Sequence, residues 1–378
     1  MTVAFEAHPV SPALAGACFA SDYADARARF LAAAARAGAR VDVFVHGEAC
    51  APDGGSLSTD VALLGPARAE RALLVVSGTH GAEGFVGSAA QVALLEAAAA
   101  GAALPPVRIV LVHAVNPFGF AHLSRTTEHH VDLNRNFIDW RAGAPANDAY
   151  VELHDALCPS TWTPETLAAC DAARQAWTER HGEAAFVDMT SRGQYSHADG
   201  LNYGGTGPEW SNRSLETIVR RHLADARRIA LVDWHTALGE RARPFFLCFN
   251  ERGSAAWERA CAWWGRDEVD TRGGFGGAAR PNYTGLLFHG VQRFAAHAEL
   301  TGAVIEFGTV GNDVARRALQ ADRYLRFAPE AVPPALRATL RAQILEAFSP
   351  PSPDWRREVL GYAIGIQQAT LAGLAHWG

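Results

Sequence analysis

The sequence predicts an α/β fold: a single domain with a mostly parallel or mixed central sheet and helices on both faces. Three observations carry this. The runs Leu73-Leu74-Val75-Val76, Val107–Val112, Ile229–Val232 and Ala303-Val304-Ile305 are apolar throughout but for Arg108, as strands covered on both faces require. Stretches with helical patterning separate them. No repeat of roughly 20–50 residues breaks the 378-residue chain into modules.

Taken in order, Ser21 can cap a helix through Asp22–Ala37 that Gly38 stops. Val41–Val45 follows as a strand. Leu73–Val76 is a buried strand halted by Ser77-Gly78, and Phe85–Ala99 reads as its helix. Val107–Val112, Ile229–Val232, Phe245–Phe249 and Ala303–Ile305 complete the strands. Three helices are expected at the C-terminal end, around 312–325, 334–347 and 354–374. The least regular stretch is 140–212, rich in Trp, Pro, Gly and Asn. It reads as a helical piece near 164–180 between long loops, which in a compact domain are usually functional.

Composition excludes several classes. Hydrophobic residues make up 49% and charged residues 20%, an ordinary globular balance. A net charge of −6 gives no electrostatic footprint for nucleic acid or an anionic membrane. No apolar run of about 18 residues offers a membrane span. The N-terminus has no basic segment followed by an apolar stretch, so a cytoplasmic location is expected. The six cysteines are scattered without a C-x-x-C, the pattern of reduced, mostly buried thiols.

Polar residues of catalytic type stand at or just beyond the ends of these strands. His80 and Glu83 follow Leu73–Val76, His235 follows Ile229–Val232, and Glu306 follows Val304-Ile305. Ligands of open α/β sheets bind outside the carboxyl ends of the strands, so these residues can converge on one crevice. His80-Gly81-Ala82-Glu83 is an H-x-x-E, two good zinc ligands on a glycine-rich turn, and His235 is the natural third. Taken singly, each has a plainer reading: a surface turn, a core histidine, a solvated carboxylate. A second cluster, Asp132-Leu133-Asn134-Arg135-Asn136-Phe137 with Arg125 upstream, offers planar donors suited to a carboxylate or an amide.

Together these residues resemble the M14 zinc carboxypeptidase family: His80-x-x-Glu83, then Val131-Asp132-Leu133-Asn134-Arg135-Asn136-Phe137, then His235, then Ile305-Glu306-Phe307, in the family's order over roughly 73–308. Within it the chain looks most like the bacterial DUF2817 branch. The resemblance implies a zinc carboxypeptidase (phosphorylase/hydrolase-like) fold and one zinc per chain on His80, Glu83 and His235. It implies Glu306 as general base and then proton donor, and Arg125 as the arginine that stabilises the oxyanion. It further implies Asn134 and Arg135 as the grip on a substrate carboxylate, Tyr283 as a mobile substrate tyrosine, and Asp132 as the carboxylate that orients the first zinc histidine. Two departures bear on specificity. Ala82 stands where many family members carry an arginine, and the stretch from Glu83 to His235 is long. Residues 140–212 therefore read as a loop-rich insertion in a single metallohydrolase domain spanning 1–378. The implied substrate is a small peptide or an acylated amino acid. The alternatives are an N-acyl amino acid deacylase resembling the aspartoacylase-like enzymes and a non-catalytic zinc-dependent binding protein; Glu306 counts against the second.

Other signals are discounted. Gly274-Phe275-Gly276-Gly277-Ala278-Ala279 fits a loose dinucleotide pattern, but no strand precedes it and Arg280-Pro281 follows. No G-x-S-x-G occurs. Glu128-His129-His130 reads as a solvated turn, His113 as a core histidine and Trp263-Trp264 as packing.

Overall fold

A computed structural model describes residues 6–269, 280–328, 330 and 332–378. The Gly274–Ala279 pattern thus lies outside the described residues. Among the described residues seven strands form one mixed sheet: β1 (Arg40–Cys50), β2 (Ser56–Leu64), β3 (Arg71–Val76), β4 (Arg108–His113), β5 (Arg228–Arg241), β6 (Pro244–Cys248) and β7 (Glu299–Gly308), in the order β1-β2-β4-β3-β5-β7-β6. The inner four, β4-β3-β5-β7, are parallel. The β1–β2, β2–β4 and β6–β7 pairs are antiparallel.

Strand alternation sends successive residues to opposite faces, and two cores result. Leu73, Val75, Ile109, Val232 and Ile305 pack with helices Tyr23–Arg36, Gly84–Ala99 and Pro353–Ala375. Leu74, Val76, Val110, Ile229 and Leu231 pack beneath helices Trp210–His222 and Leu287–Phe294. Among the described residues no helix is long and apolar enough to cross a membrane.

Several expectations shift. Asp22, not Ser21, caps the first long helix; its carboxylate accepts from Asp25 N–H, and Ser21 instead bonds back to Asp25. β2 is unanticipated because its sequence hides Asp60 among apolar residues. That carboxylate is fully buried and held by Arg27 Nε at 2.7 Å and Nη2 at 3.2 Å. β5 and β7 run beyond their apolar runs, so His235 and Glu306 lie inside strands rather than after them. The stretch 140–212 holds the expected helix, Pro164–His181, and two more than expected, Asp148–Leu157 and Glu183–Arg192, which together enclose a small core of Tyr150, Leu153, Trp177, Phe186 and Met189. The six cysteines are free. His113 is a buried core histidine beside Ser88 and Phe30, where burial lowers its pKa to about 3. Trp263 and Trp264 pack on one another edge to face.

The ion pair of part-buried Arg27 with buried Asp60 carries a prediction. Arg27→Met should leave the Asp60 carboxylate without its cation in the core, costing about 3–5 kcal/mol. Equilibrium denaturant unfolding at pH 7 measures it; a loss below about 1 kcal/mol, the scale of a surface pair, would contradict a structural role.

Candidate metal centre and its cavity

The loop after β3 must turn sharply to present two side chains. Gly78 takes φ +69° there. Gly81 lies against the next loop so closely that a Cβ would stand 1.8 Å from the Gly119 carbonyl carbon. A single 3-10 turn, Gly81–Glu83, then leads into helix Gly84–Ala99, leaving His80 and Glu83 on one side. From β5, His235 stands opposite Glu306 of β7 in the parallel register.

His80, Glu83 and His235 converge, with one ligand atom of each within 4.8 Å of the others. The two Nδ1 atoms are 3.1 Å apart. Glu83 lies 3.0 Å from the Nδ1 of His80 and 3.1 Å from that of His235. Behind them, His80 Nε2 meets Asp132 Oδ1 at 3.0 Å and His235 Nε2 lies 3.0 Å from Asp233 Oδ2. An ionised carboxylate only accepts, so His80 carries its proton on Nε2 and presents the Nδ1 lone pair to the cluster. Two imidazole lone pairs and a carboxylate pressed together in the core repel unless a cation lies between them. Tetrahedral zinc with nitrogen ligands at 2.0–2.1 Å holds them roughly 3.3 Å apart, close to the spacing here. Carboxylates behind metal-bound histidines are the usual support. The residues therefore fit a divalent metal of the zinc type.

With no metal between them, protonated histidines supply the positive charge instead. Burial alone would raise the Glu83 carboxyl, but the charges of His80 and His235 outweigh it and hold it well below the usual range. Burial likewise opposes ionisation of Asp132, and Arg125, Arg135 and His80 overcome it. For Glu306 the balance reverses: burial first, then the Glu83 charge, push its carboxyl up to about 7 against the pull of His235 and His80. Its hydrogen bond among the described residues is a long one, 3.4 Å from Leu238 N–H.

Arg125, Asn134, Arg135 and Tyr283 line a cavity of about 280 Å³, with Asp132 buried behind them. Arg125 bonds Glu83 through Nη1 at 3.0 Å and Asp132 through Nε and Nη2 at 3.2 and 3.1 Å. Asp132 also caps the short turn Leu133–Asn136, accepting from Asn134 N–H at 2.9 Å. Asn134 Oδ1 accepts from Leu287 N–H at 2.7 Å. Arg135 sends Nη1 to Asn134 O at 2.8 Å, while its buried Nε has no partner. Tyr283 lies under the Arg135 guanidinium, 5.3 Å from ring centre to Cζ, half-buried at the cavity wall. All nine candidates thus meet in one place. Asn136 does not join them: it is a clamp, its amide tied to Gly204 O, Gly207 O and Glu209 N–H.

The sequence reading missed several supports. Asp233 was legible in principle, since residues two apart on a strand share a face. Asp322, buried in helix Asn312–Phe327, accepts from Arg125 N–H at 2.8 Å and Ser124 Oγ at 3.0 Å; nothing local marked it. The Glu128-His129-His130 turn is not solvated as expected. Glu128 pairs with buried His46 at 3.0 Å, and His130 is buried against Thr126 and Gly200. Only His129 is largely exposed, and it is bound to Glu209.

Fold and site together define an α/β protein with a buried His-Glu-His cluster at the carboxyl edge of its sheet. The chain belongs to the family described as protein of unknown function DUF2817, whose model matches residues 19–362. Among curated proteins none matches the sequence. Solved structures similar to it include a succinylglutamate desuccinylase from Chromobacterium violaceum, at 18% identity and TM-score 0.36, covering 81% of this chain and 75% of that one. Bovine thrombin-activatable fibrinolysis inhibitor is 13% identical with TM-score 0.45, over 88% and 98% of the two chains. Carboxypeptidase A from Helicoverpa armigera is 12% identical with TM-score 0.45, over 87% and 74%. At these scores the likenesses carry no argument about activity.

The close approach at Gly81 is testable. Gly81→Ala must push the His80–Glu83 turn off the Gly119 backbone. Affinity for a divalent cation should fall about 10- to 100-fold, as when a ligand loses its support. Calorimetric titration with zinc reads this; unchanged affinity would mean the turn adjusts freely.

Proposed function

We propose that the chain is a zinc-dependent hydrolase of amide bonds acting on short peptides or N-acyl amino acids. The observation that supports this most is Glu306: a buried, sparsely bonded carboxylate beside the His80–Glu83–His235 cluster. A site that only held a metal would have no use for it.

When bound, zinc would bring the pKa of a water toward about 7 and draw charge from the carbonyl under attack. The chain's own groups do the rest. Glu306, with one weak donor, is free to take a proton from water and return it to the leaving nitrogen. Burial and Glu83 hold its proton affinity high, while a dication nearby would lower it. Arg125, fixed by Asp132, Glu83 and the Asp322 contact to its backbone, presents a guanidinium that stabilises negative charge developing on the substrate oxygen. Asp132 keeps the His80 imidazole in its tautomer, and Asp233 lies behind His235. Arg135, with an unused buried Nε, and Asn134 hold a substrate carboxylate, and Tyr283 covers the Arg135 face.

The same geometry favours small substrates over protein chains. A cavity of about 280 Å³ lies at the small end of ligand pockets, which run roughly 300–1,000 Å³. Helices Pro164–His181 and Glu183–Arg192 contribute Arg174, Phe186 and Val187 to its wall. Position 82 offers no second arginine: Ala82 is buried among Phe348, Leu340 and Tyr324. An N-acyl amino acid deacylase therefore stands beside a carboxypeptidase as the second reading of the same chemistry.

Zinc content and turnover separate the roles. His235→Ala should lose most bound zinc. Glu306→Gln should keep one zinc per chain and lose turnover about 10²- to 10⁴-fold. Full zinc in the first variant, or near-normal turnover in the second, would overturn the corresponding assignment.

The carboxylate grip makes a separate prediction. Amidating the substrate's free carboxylate should weaken binding by about 1.5–3 kcal/mol, the value of a charged hydrogen bond, and Arg135→Ala should abolish the difference. Equal affinity for acid and amide in the parent enzyme would show that Arg135 reads something else.

A further inference from the structure

Helix Pro164–His181 brings to the cavity an arginine that the reaction above does not use. Arg174 lines the wall with its guanidinium over the Phe186 ring, 5.7 Å from the centroid. Its Nε is buried without a hydrogen-bond partner, and no carboxylate or carbonyl among the described residues takes the group. The other charges on this side are engaged or solvated. Arg316 contacts Asp171 at 3.5 Å and Asp313 at 3.3 Å. Glu183 is exposed and forms no ion pair with Arg174. Arg174 is part-buried: only its Nε is shut from solvent, and the terminal nitrogens stand at the cavity without a protein acceptor among the described residues. Arg135 shows the same feature on another element of the same cavity: a buried, unpartnered Nε. The wall around them is largely apolar, with Leu157, Leu201, Leu286 and Leu319.

We infer that the cavity takes a substrate with two carboxylates, one held by Arg135 and the second by Arg174. The second is the end of an acidic acyl group or an acidic side chain on an N-acylated amino acid. The two terminal nitrogens of arginine form a two-pronged fork that matches a carboxylate. The ring of Phe186 limits the orientations of that fork and sheds water from its back face. Arg174 then supplies, from the opposite part of the sequence, the second cation that position 82 lacks. This assignment of substrate class rests on the hydrolase reading for its turnover measurements only.

The test uses matched pairs differing by one charge: N-succinyl-leucine against its terminal carboxamide, and N-acetylglutamate against N-acetylglutamine. Binding to the zinc-loaded Glu306→Gln protein is measured by calorimetry, and kcat/KM on the parent. One of the two acids should be preferred over its amide by about 10- to 100-fold, the worth of one charged hydrogen bond. Arg174→Ala should bring that ratio close to one, Arg174→Lys should restore part of it, and Arg174→Glu should invert it. A merely structural Arg174 would change acid and amide alike and leave the ratio standing. If neither acid is preferred, or the ratio survives in Arg174→Ala, the inference is overturned even though the enzyme hydrolyses amides. If the acid preference in binding is present but no amide is cleaved, the hydrolase reading fails and the two-carboxylate site stands.

Discussion

Four donors from three residues meet at the buried carboxylate of Asp132, and the site is organised around it. One oxygen takes the Nε2 proton of His80 and the N–H of Asn134; the other takes two donors of Arg125. The orientation of a metal-type histidine, the start of the turn that carries Arg135, and the direction of the arginine beside the cluster are thus set by one side chain. Burying a carboxylate is expensive unless each lone pair is used, and here the neighbours use them. The convergence also explains why residues spaced so unevenly in sequence act at one point. The motif Asp-Leu-Asn-Arg places its acid toward the metal cluster and its base toward the cavity within a single turn of chain.

The C-terminal helices do more than cover the sheet. Helices Asn312–Phe327 and Pro334–Phe348 pack over Ala82, so the position is closed to a long side chain. The first of them returns Asp322 to the backbone of Arg125. One packing arrangement both closes position 82 and ties down the loop that carries Arg125. On the other side of the cavity, the segment between Glu83 and His235 folds into helices with their own small core.

Legibility followed locality. H-x-x-E, His235 and Glu306 could be read because each follows or ends an apolar run whose strand character is unambiguous, and the Asp-Leu-Asn-Arg-Asn-Phe stretch because its planar polar groups are so dense. The parallel core strands were legible for the same reason. β2 was not, because Asp60 breaks its apolar pattern and its partner Arg27 is 33 residues away. Residues 140–212 looked loop-rich because their helices bury a narrow stripe around Trp177 and Phe186, while much of the helical surface is solvated and polar. Asp322 and Arg174 depend on how helices from distant segments dock, and no short-range signal marks either. Gly193 and Gly285 make the same point. Each lies so near Arg135 that a Cβ would collide with it, yet in the sequence both pass for ordinary turn glycines.

β5 parts from β7 after Ala237, and the two are next paired at Arg241. Ala237 is held at φ +133°, a conformation that costs an alanine about 1–3 kcal/mol. The departure releases the N–H of Leu238 from the ladder, and it turns to Glu306. The contact belongs to the main chain, so most side chains at position 238 would preserve it, and proline alone would delete the donor outright. Drift at 238 is therefore cheap for the carboxylate, while a one-residue insertion or deletion anywhere from 237 to 241 is not. The acid is guarded by the length of a kink rather than by the identity of a neighbour.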